Sequence, residues 1–331
     1  MRKLRVLVTG GCGFIGSHFI VRGLHKEPCC GEIVNLDLLT PAGSLTHLAS
    51  VANHPNYVFV HGDIRNAGLV ETLCRTHHID TCVHFAAETH VDNSIAHPHS
   101  FYQTNVEGTL TLLNVVRLFP HIHVHHISTD EVFGSLSEGM ADIDTTPYRP
   151  NSPYAASKAA ADHLVRAYQK TYGMQGSISY CTNNYGPRQS GDKLIPKAIC
   201  ACLHNTPFPL YGSGEHIRDW LFVQDHVEGL WKILQGRPHG QSFAFAGTYP
   251  LSNRALLSLL MAAYAGLCQH PLEQYLCLIE TVADRPGHDF RYALDTRKTQ
   301  MTLGWKPTTP FDHGLRQTIE WFIQTHATLT C

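Results

Sequence analysis

From residue 4 onward, short runs of β-branched and other apolar residues alternate with longer stretches in which apolar positions recur every three or four residues. The short runs are "LRVLVTG" (4–10), "EIVNLD" (32–37), "YVFVHGD" (57–63), "TCVHFAA" (81–87), "HVHHIST" (123–129) and "GSISYC" (176–181). Helical patterns lie between them, at 14–25, 67–77, 100–118 and 154–172. Strands this continuously apolar have no wet face. They belong in a parallel sheet with helices on both sides. The expected class is therefore α/β, a doubly wound parallel sheet whose ligands sit beyond the carboxyl ends of the strands.

The alternation thins after about residue 182. "NNYGPRQSGDKLIP" (183–196) and "PFPLYGSGEHIRDW" (207–220) read as pocket-forming loops around short elements. A helix at 224–234 and a strand at 242–247 are expected to rejoin the main sheet, and further helices fall at 253–267 and 312–325. This divides the chain into a first domain, 1–182 rejoined by about 221–247, and a smaller mixed α/β C-terminal substrate domain within 183–331.

Composition narrows the partners. The 331 residues carry a formal charge of −2, with 43% hydrophobic and 16% charged residues, so no basic field invites nucleic acid or an anionic membrane. No apolar run reaches the roughly 18–20 residues of a membrane span. The opening "MRKLRVLVTGG" is too short and too soon glycine-rich for a secretory leader, so a cytoplasmic location is expected. Eleven cysteines include no C-x-x-C pair, which favours reduced thiols over a disulfide framework. Of the 24 histidines, His121, His123 and His125 would share one strand face. No carboxylate or cysteine accompanies them at ligand spacing, so no metal is expected.

The chemistry gathers at strand ends. In "VTGGCGFIGSH" (8–18), Gly10, Gly13 and Gly16 follow the first strand and open the first helix. Glycines there allow a tight turn, close approach of a pyrophosphate and close helix–strand packing, while the helix N-terminus supplies free N–H groups. Asp37 ends the second strand about 20 residues on, where a carboxylate would bind an adenosine ribose and repel a 2′-phosphate. NAD is thus favoured over NADP, and the sheet is expected to be Rossmann-like. "GDI" (62–64) and "FAAET" (85–89), with Asp63, Ile64, Ala86, Ala87 and Thr89, end the next two strands, where adenine and ribose contacts fall.

"PYAASK" (153–158) sets Tyr154 and Lys158 one helical turn apart on one face. A tyrosine becomes a useful base when a lysine cation and a nicotinium lower its pKa. Thr129 could hydrogen-bond the same sugar oxygen that Tyr154 deprotonates. Two adjacent acids, Asp130 and Glu131, follow it at the end of the fifth strand. Such a pair can be an ordinary helix cap or solvated turn. Beside Tyr154 it reads as an acid and a base whose mutual repulsion raises one pKa.

These motifs, with "TNVEGT", "STDEVFG", "YAASKAAADHL", "NNYGPR", "DKLIP", "YGSG", "RDW", "DRPGHD" and "LGWKP", run nearly end to end and resemble the extended short-chain dehydrogenase/reductases. Within them the chain is similar to the nucleotide-sugar 4,6-dehydratase family, because related epimerases lack the Asp-Glu pair. The resemblance implies a lyase that acts on a nucleotide sugar, dTDP-glucose first among them, with catalytic NAD. The sugar is oxidised at C4 while Tyr154 takes the hydroxyl proton; Glu131 then removes the C5 hydrogen, Asp130 protonates the departing C6 hydroxyl, and the cofactor is regenerated. It also implies cofactor contacts from Phe14, Ile15, Leu38, Thr40, Thr104 and Asn184. For the substrate it implies His90 and Thr129 at the sugar, Asn183 and Arg218 at the phosphates, and Lys193, Leu194, Pro209 and Tyr211 around the base. Asn253, Arg285 and His288 complete that set. Members of the family usually pair two helices per subunit into a dimer, and Ala155, Ala159, Leu164 and Ala167 would permit it.

Pro41, Ser44, Asn93 and Phe290 depart from the family's pattern, which leaves open whether the base is dTDP or UDP and what the sugar carries at C2. Two other readings stand beside the dehydratase. One is an NAD-dependent nucleotide-sugar epimerase or decarboxylase, against which Asp130 argues. The other is a non-catalytic NAD-binding scaffold on the same fold.

Overall fold

A computed structural model describes residues 3–329. Its strands are β1 (Leu4–Thr9), β2 (Cys30–Asp37), β3 (Tyr57–His61), β4 (Thr81–His84), β5 (His123–Ile127), β6 (Gly176–Cys181), β7 (Asn183–Tyr185), β8 (Phe208–Tyr211), β9 (Ile217–Phe222), β10 (Gln241–Phe245), β11 (Pro250–Ser252) and β12 (Ile279–Val282). The α-helices are α1 (Phe14–Lys26), α2 (Ala67–Thr76), α3 (Val91–Ala96), α4 (Pro98–Phe101), α5 (Thr109–Val116), α6 (Pro153–Tyr172), α7 (Leu194–His204), α8 (Val223–Gly236), α9 (Asn253–Cys268), α10 (Glu273–Leu276), α11 (Arg297–Leu303) and α12 (Phe311–Leu329).

Seven strands form the central sheet in the order β10-β6-β5-β4-β1-β2-β3, and every neighbouring pair is parallel. The order reverses at β1, which opens a crevice at the carboxyl ends of β1 and β4. Period-2 alternation sends successive side chains to opposite faces. Leu7 packs with Val70, Leu112 and Val165 of α2, α5 and α6. Val6 and Val8 pack with Phe19 of α1 and Trp231 of α8. Phe19 and Trp231 stack with centroids 4.5 Å apart and planes 6° from parallel. This is the Rossmann-like α/β architecture the hydrophobic pattern predicts.

A third core belongs to the C-terminal half. There α7, α9 and α12 pack around β8 and β9 through Ile195, Leu256, Leu260 and Ile319. β7, β9 and β11 make a small mixed sheet, and β8 pairs with β12. No helix among the described residues is long and apolar enough to cross a membrane.

Three expectations change. The helix expected over 100–118 is broken by a π-helical segment, Tyr102–Gly108, between α4 and α5. Inside it Asn105 accepts from the Glu88 N–H at 2.8 Å and donates to the Glu88 carbonyl at 3.0 Å and to Ser157 Oγ at 2.8 Å, which pins the end of β4 to α6. Such wide turns insert where a side chain must be presented out of helical register. His121 lies outside the strand it was expected to share: β5 starts at His123, and His123 and His125 are buried against Ser177 and Ser179 of β6. Ala155 and Ala159 of α6 are buried within the chain itself, which leaves Ala167 exposed and Leu164 half-buried as the outward members of that group.

Candidate active site

Gly10 ends β1 with φ +73°, a conformation that costs a side-chain-bearing residue about 1–2 kcal/mol. A Cβ there would stand 2.6 Å from the Ala86 nitrogen, and one at Gly16 would stand 2.5 Å from the Gly10 carbonyl. The glycines therefore keep backbone bare where three segments meet. Gly13, extended at the N-cap of α1, offers no side-chain cap, and the first turn carries no acid. That helix end is free to receive an anion. Asp37 accepts from the Cys12 N–H at 2.8 Å and the Leu39 N–H at 2.8 Å. These bonds aim its carboxylate into the same crevice, and the cradle fits a dinucleotide.

At the end of β5, Thr129 caps a short 3₁₀ turn, Asp130–Phe133, so the cap reading of this segment is true of the threonine. Its Oγ accepts from the Glu131 N–H at 3.3 Å and donates to Asp130 Oδ1 at 3.2 Å. Asp130 Oδ2 is buried without a partner. Burial first, and the Glu131 charge second, push the Asp130 carboxyl up to about 8. Repulsion between the adjacent carboxylates contributes as expected, but desolvation is the larger cause. Glu131, also raised by burial, is held down by Arg218, Arg285 and Lys193. The two acids are thereby separated: Asp130 keeps its proton at neutral pH, and Glu131 sits among cations.

Ser152 caps α6 by accepting from the Ala155 N–H at 3.0 Å, and Pro153 occupies the first turn. This start places Tyr154 and Lys158 on the inward face, both buried. Lys158 Nζ donates to the Ile127 carbonyl at 2.7 Å. Burial, then the Glu131 charge, push the Tyr154 phenol well above its ordinary range, and a hydrogen bond with Thr129 draws it back. Among the protein's own groups Thr129 supplies this lowering, to which the nicotinium of a bound cofactor would add.

The C-terminal half closes the other side. Arg218 on β9 lies buried over the Tyr292 ring at 4.4 Å. It donates to the carbonyls of Ile217 at 2.8 Å, Phe290 at 3.2 Å and Asp289 at 2.7 Å, which fixes its fork rigidly. Arg285 reaches Asp92 at 3.3 Å, and Tyr211 reaches the same carboxylate at 3.4 Å. Lys193, at the N-cap of α7, donates to the Thr89 carbonyl at 2.8 Å. His90 caps α3 and lies 3.4 Å from Asp192. Asn253 opens α9 with its Oδ1 buried and unpartnered.

One cavity of about 630 Å³ is lined by every residue expected at the cofactor, the catalytic centre and the substrate, from Gly10, Leu38, Thr40, Ile64, Thr104 and Asn184 to Asn183, Leu194, Pro209 and His288. Several of its residues carried no signal in the sequence. Tyr292 stacks under Arg218, Asp192 joins His90 to Lys193, and Lys197 lines the wall one turn beyond Lys193. His216 also went unread. Its ring stacks on His288 at 3.6 Å, and both rings address the Asp284 carboxylate, at 3.2 and 2.7 Å.

Comparison with known proteins agrees with this geometry. The family model described as GDP-mannose 4,6 dehydratase matches residues 7–318. A dTDP-glucose 4,6-dehydratase of Xanthomonas campestris pv. campestris is 43% identical, covering 96% of this chain and 92% of its own. One from Neisseria gonorrhoeae is 42% identical, covering 97% and 96%. The crystal structure of DesIV, a dTDP-glucose 4,6-dehydratase from Streptomyces venezuelae solved with NAD bound, superposes with a TM-score of 0.92 at 42% identity over 98% of each chain. A UDP-glucose 4-epimerase from Thermotoga maritima shares the fold at 24% identity, with a TM-score of 0.86. By matches that span nearly its whole length, the chain belongs to the nucleotide-sugar 4,6-dehydratase family, among the dTDP-glucose 4,6-dehydratases.

Proposed function

We propose that the protein converts dTDP-glucose into dTDP-4-keto-6-deoxyglucose and water, with NAD as a catalytic cofactor. The observation that carries this reading is the buried Asp130 carboxyl, protonated up to about pH 8, beside Glu131 on the same cavity wall as Tyr154. An epimerase or decarboxylase has no use for a neutral acid there. NAD, seated at the glycine turn, supplies oxidation at C4 and the matching reduction at C6. Tyr154, hydrogen-bonded to Thr129, would take the C4 hydroxyl proton once the positive nicotinium of the bound cofactor and Lys158 bring its phenol down to the phenolate. Glu131 takes the proton from C5, made acidic by the new ketone. Asp130 gives its proton to the C6 hydroxyl as the C6–O bond breaks, so one water leaves; with reduction at C6 the Glu131 proton returns to C5, and the proton taken by Tyr154 replaces the one Asp130 gave up. Arg218 and Arg285 face the diphosphate, and the pre-set Arg218 fork costs little entropy on binding.

In this reading residues 1–182, rejoined by about 221–247, hold the cofactor and the rest of 183–331 holds the nucleotide sugar. The enzyme is further proposed to be a cytoplasmic homodimer paired through the outer faces of α6 and of the stretch from the π-helical segment through α5, where Tyr102, just before α5, Leu118, just after it, and Tyr172, at the end of α6, are exposed. A monomer in sedimentation at micromolar concentration would remove the dimer, and recovery in the membrane fraction would remove the location. The activity itself is tested by incubation with dTDP-glucose without added oxidant. A 4-keto sugar should form with no net cofactor reduction, faster than from UDP-glucose. Stoichiometric cofactor reduction would sink the dehydratase reading.

A further inference from the structure

Asp162 lies on α6 one turn beyond Lys158 and is fully buried. Its Oδ2 accepts from Ser128 Oγ at 2.7 Å and from the Tyr148 hydroxyl at 3.0 Å. Its Oδ1 has no hydrogen-bond partner and stands 3.2 Å from Nε2 of His126, which is also fully buried. An enclosed carboxylate with one unsatisfied oxygen works against folding. Something other than stability must account for it.

Two features of its surroundings do. Ser128 directly precedes Thr129, so the Ser128–Asp162 bond ties the end of β5 to the helix that carries Tyr154 and Lys158. The groups that face the Lys158–Asp162 pair are otherwise neutral or positive. His84 from β4 and His126 from β5 are pushed well below the ordinary imidazole range, by burial first. Cys181 from β6 is raised to about 12, and Tyr148 and Tyr180 are raised beyond the usual phenol range, again by burial first. Arg166, on the next turn of α6, donates to Tyr180 at 2.9 Å. Burial lowers the Lys158 ammonium, and Asp162 opposes that.

We propose that Asp162 is a positioning residue for the dehydration: through Ser128 it registers Thr129, Asp130 and Glu131 against α6, and it sets a carboxylate one helical turn from Lys158 on the same buried face. This rests on the reading of Tyr154 and Lys158 given above. The test is single-turnover oxidation at C4 by the NAD-loaded enzyme, read from reduced-nicotinamide absorbance across pH. Asp162→Asn should slow it by on the order of 10²-fold, the scale of a misplaced catalytic group, and should move the alkaline limb of the profile to lower pH. Ser128→Ala removes the tie but leaves the charge; it should slow oxidation by about tenfold with the alkaline limb unmoved. It also keeps the test open should Asp162→Asn fold poorly. Wild-type rates in both variants overturn the proposal. A slower Asp162→Asn whose alkaline limb stays put, with a melting loss that accounts for the rate, overturns the charge role. Lys158→Met separates the layers: if it oxidises at the wild-type rate, the Tyr154–Lys158 reading falls instead.

Discussion

Asp130→Asn removes the proton that the proposed elimination requires while it preserves the shape of the side chain. The native carboxyl holds its proton to about pH 8, whereas a carboxyl in the unfolded chain surrenders it near the ordinary value of 3.8. Between those values the native state binds more protons than the unfolded state, so wild-type stability falls as pH rises. At pH 7 the accumulated loss is up to about 4 kcal/mol, at 1.36 kcal/mol per pH interval. Asparagine has no charge to suppress and escapes that loss. Asp130→Asn should therefore melt several degrees above wild type at pH 7 and at the wild-type temperature near pH 4, as calorimetry at the two pH values will show. Its chemistry should split. Oxidation at C4 and solvent-deuterium exchange at C5 persist, and water elimination drops by about 10²–10⁴-fold. More stable and less active is the signature of a strained functional acid. A variant that eliminates water at the wild-type rate, or melts with wild type at both pH values, refutes the assignment.

Glu131→Gln should still oxidise C4 but lose C5 exchange by about 10²-fold or more; exchange at the wild-type rate would take the base away from Glu131. Gly10→Ala should lose more than about 1–2 kcal/mol of stability and fail to copurify with NAD, since its Cβ meets Ala86 in a left-handed conformation. Wild-type melting and cofactor content would contradict that. Arg218→Lys cannot serve the Ile217, Asp289 and Phe290 carbonyls together, so KM for dTDP-glucose should rise by about tenfold or more in steady-state assays. An unchanged KM would remove Arg218 from the diphosphate site.

Local pattern determined much of this protein. Apolar runs bounded by glycine specify parallel strands, because a strand covered on both faces has no polar positions to lose. The Gly10–Gly13–Gly16 turn and the Tyr154–Lys158 spacing are local geometry, so they are visible in eleven and six consecutive residues, 8–18 and 153–158. The pairing of Asp130 with Glu131 is equally local, and the resemblance of its motif gave the reaction. The unequal fates of the two acids are not local. Asp130 is desolvated only when the elements pack around it, and the cations around Glu131, residues 193, 218 and 285, are brought in by α7, β9 and the loop after β12. The small strands β7, β8 and β9 hid in stretches rich in glycine and proline, and β12 in a four-residue run, since three- to six-residue elements carry too little periodicity to read. Burial of Ala155 and Ala159 against the chain's own core, and of Asp162 against Ser128, His126 and Tyr148, was likewise decided by packing. Spacing along the chain shows which side chains share a face of one element. What lies across from that face, and hence its dielectric and its charge, exists only once the elements have packed.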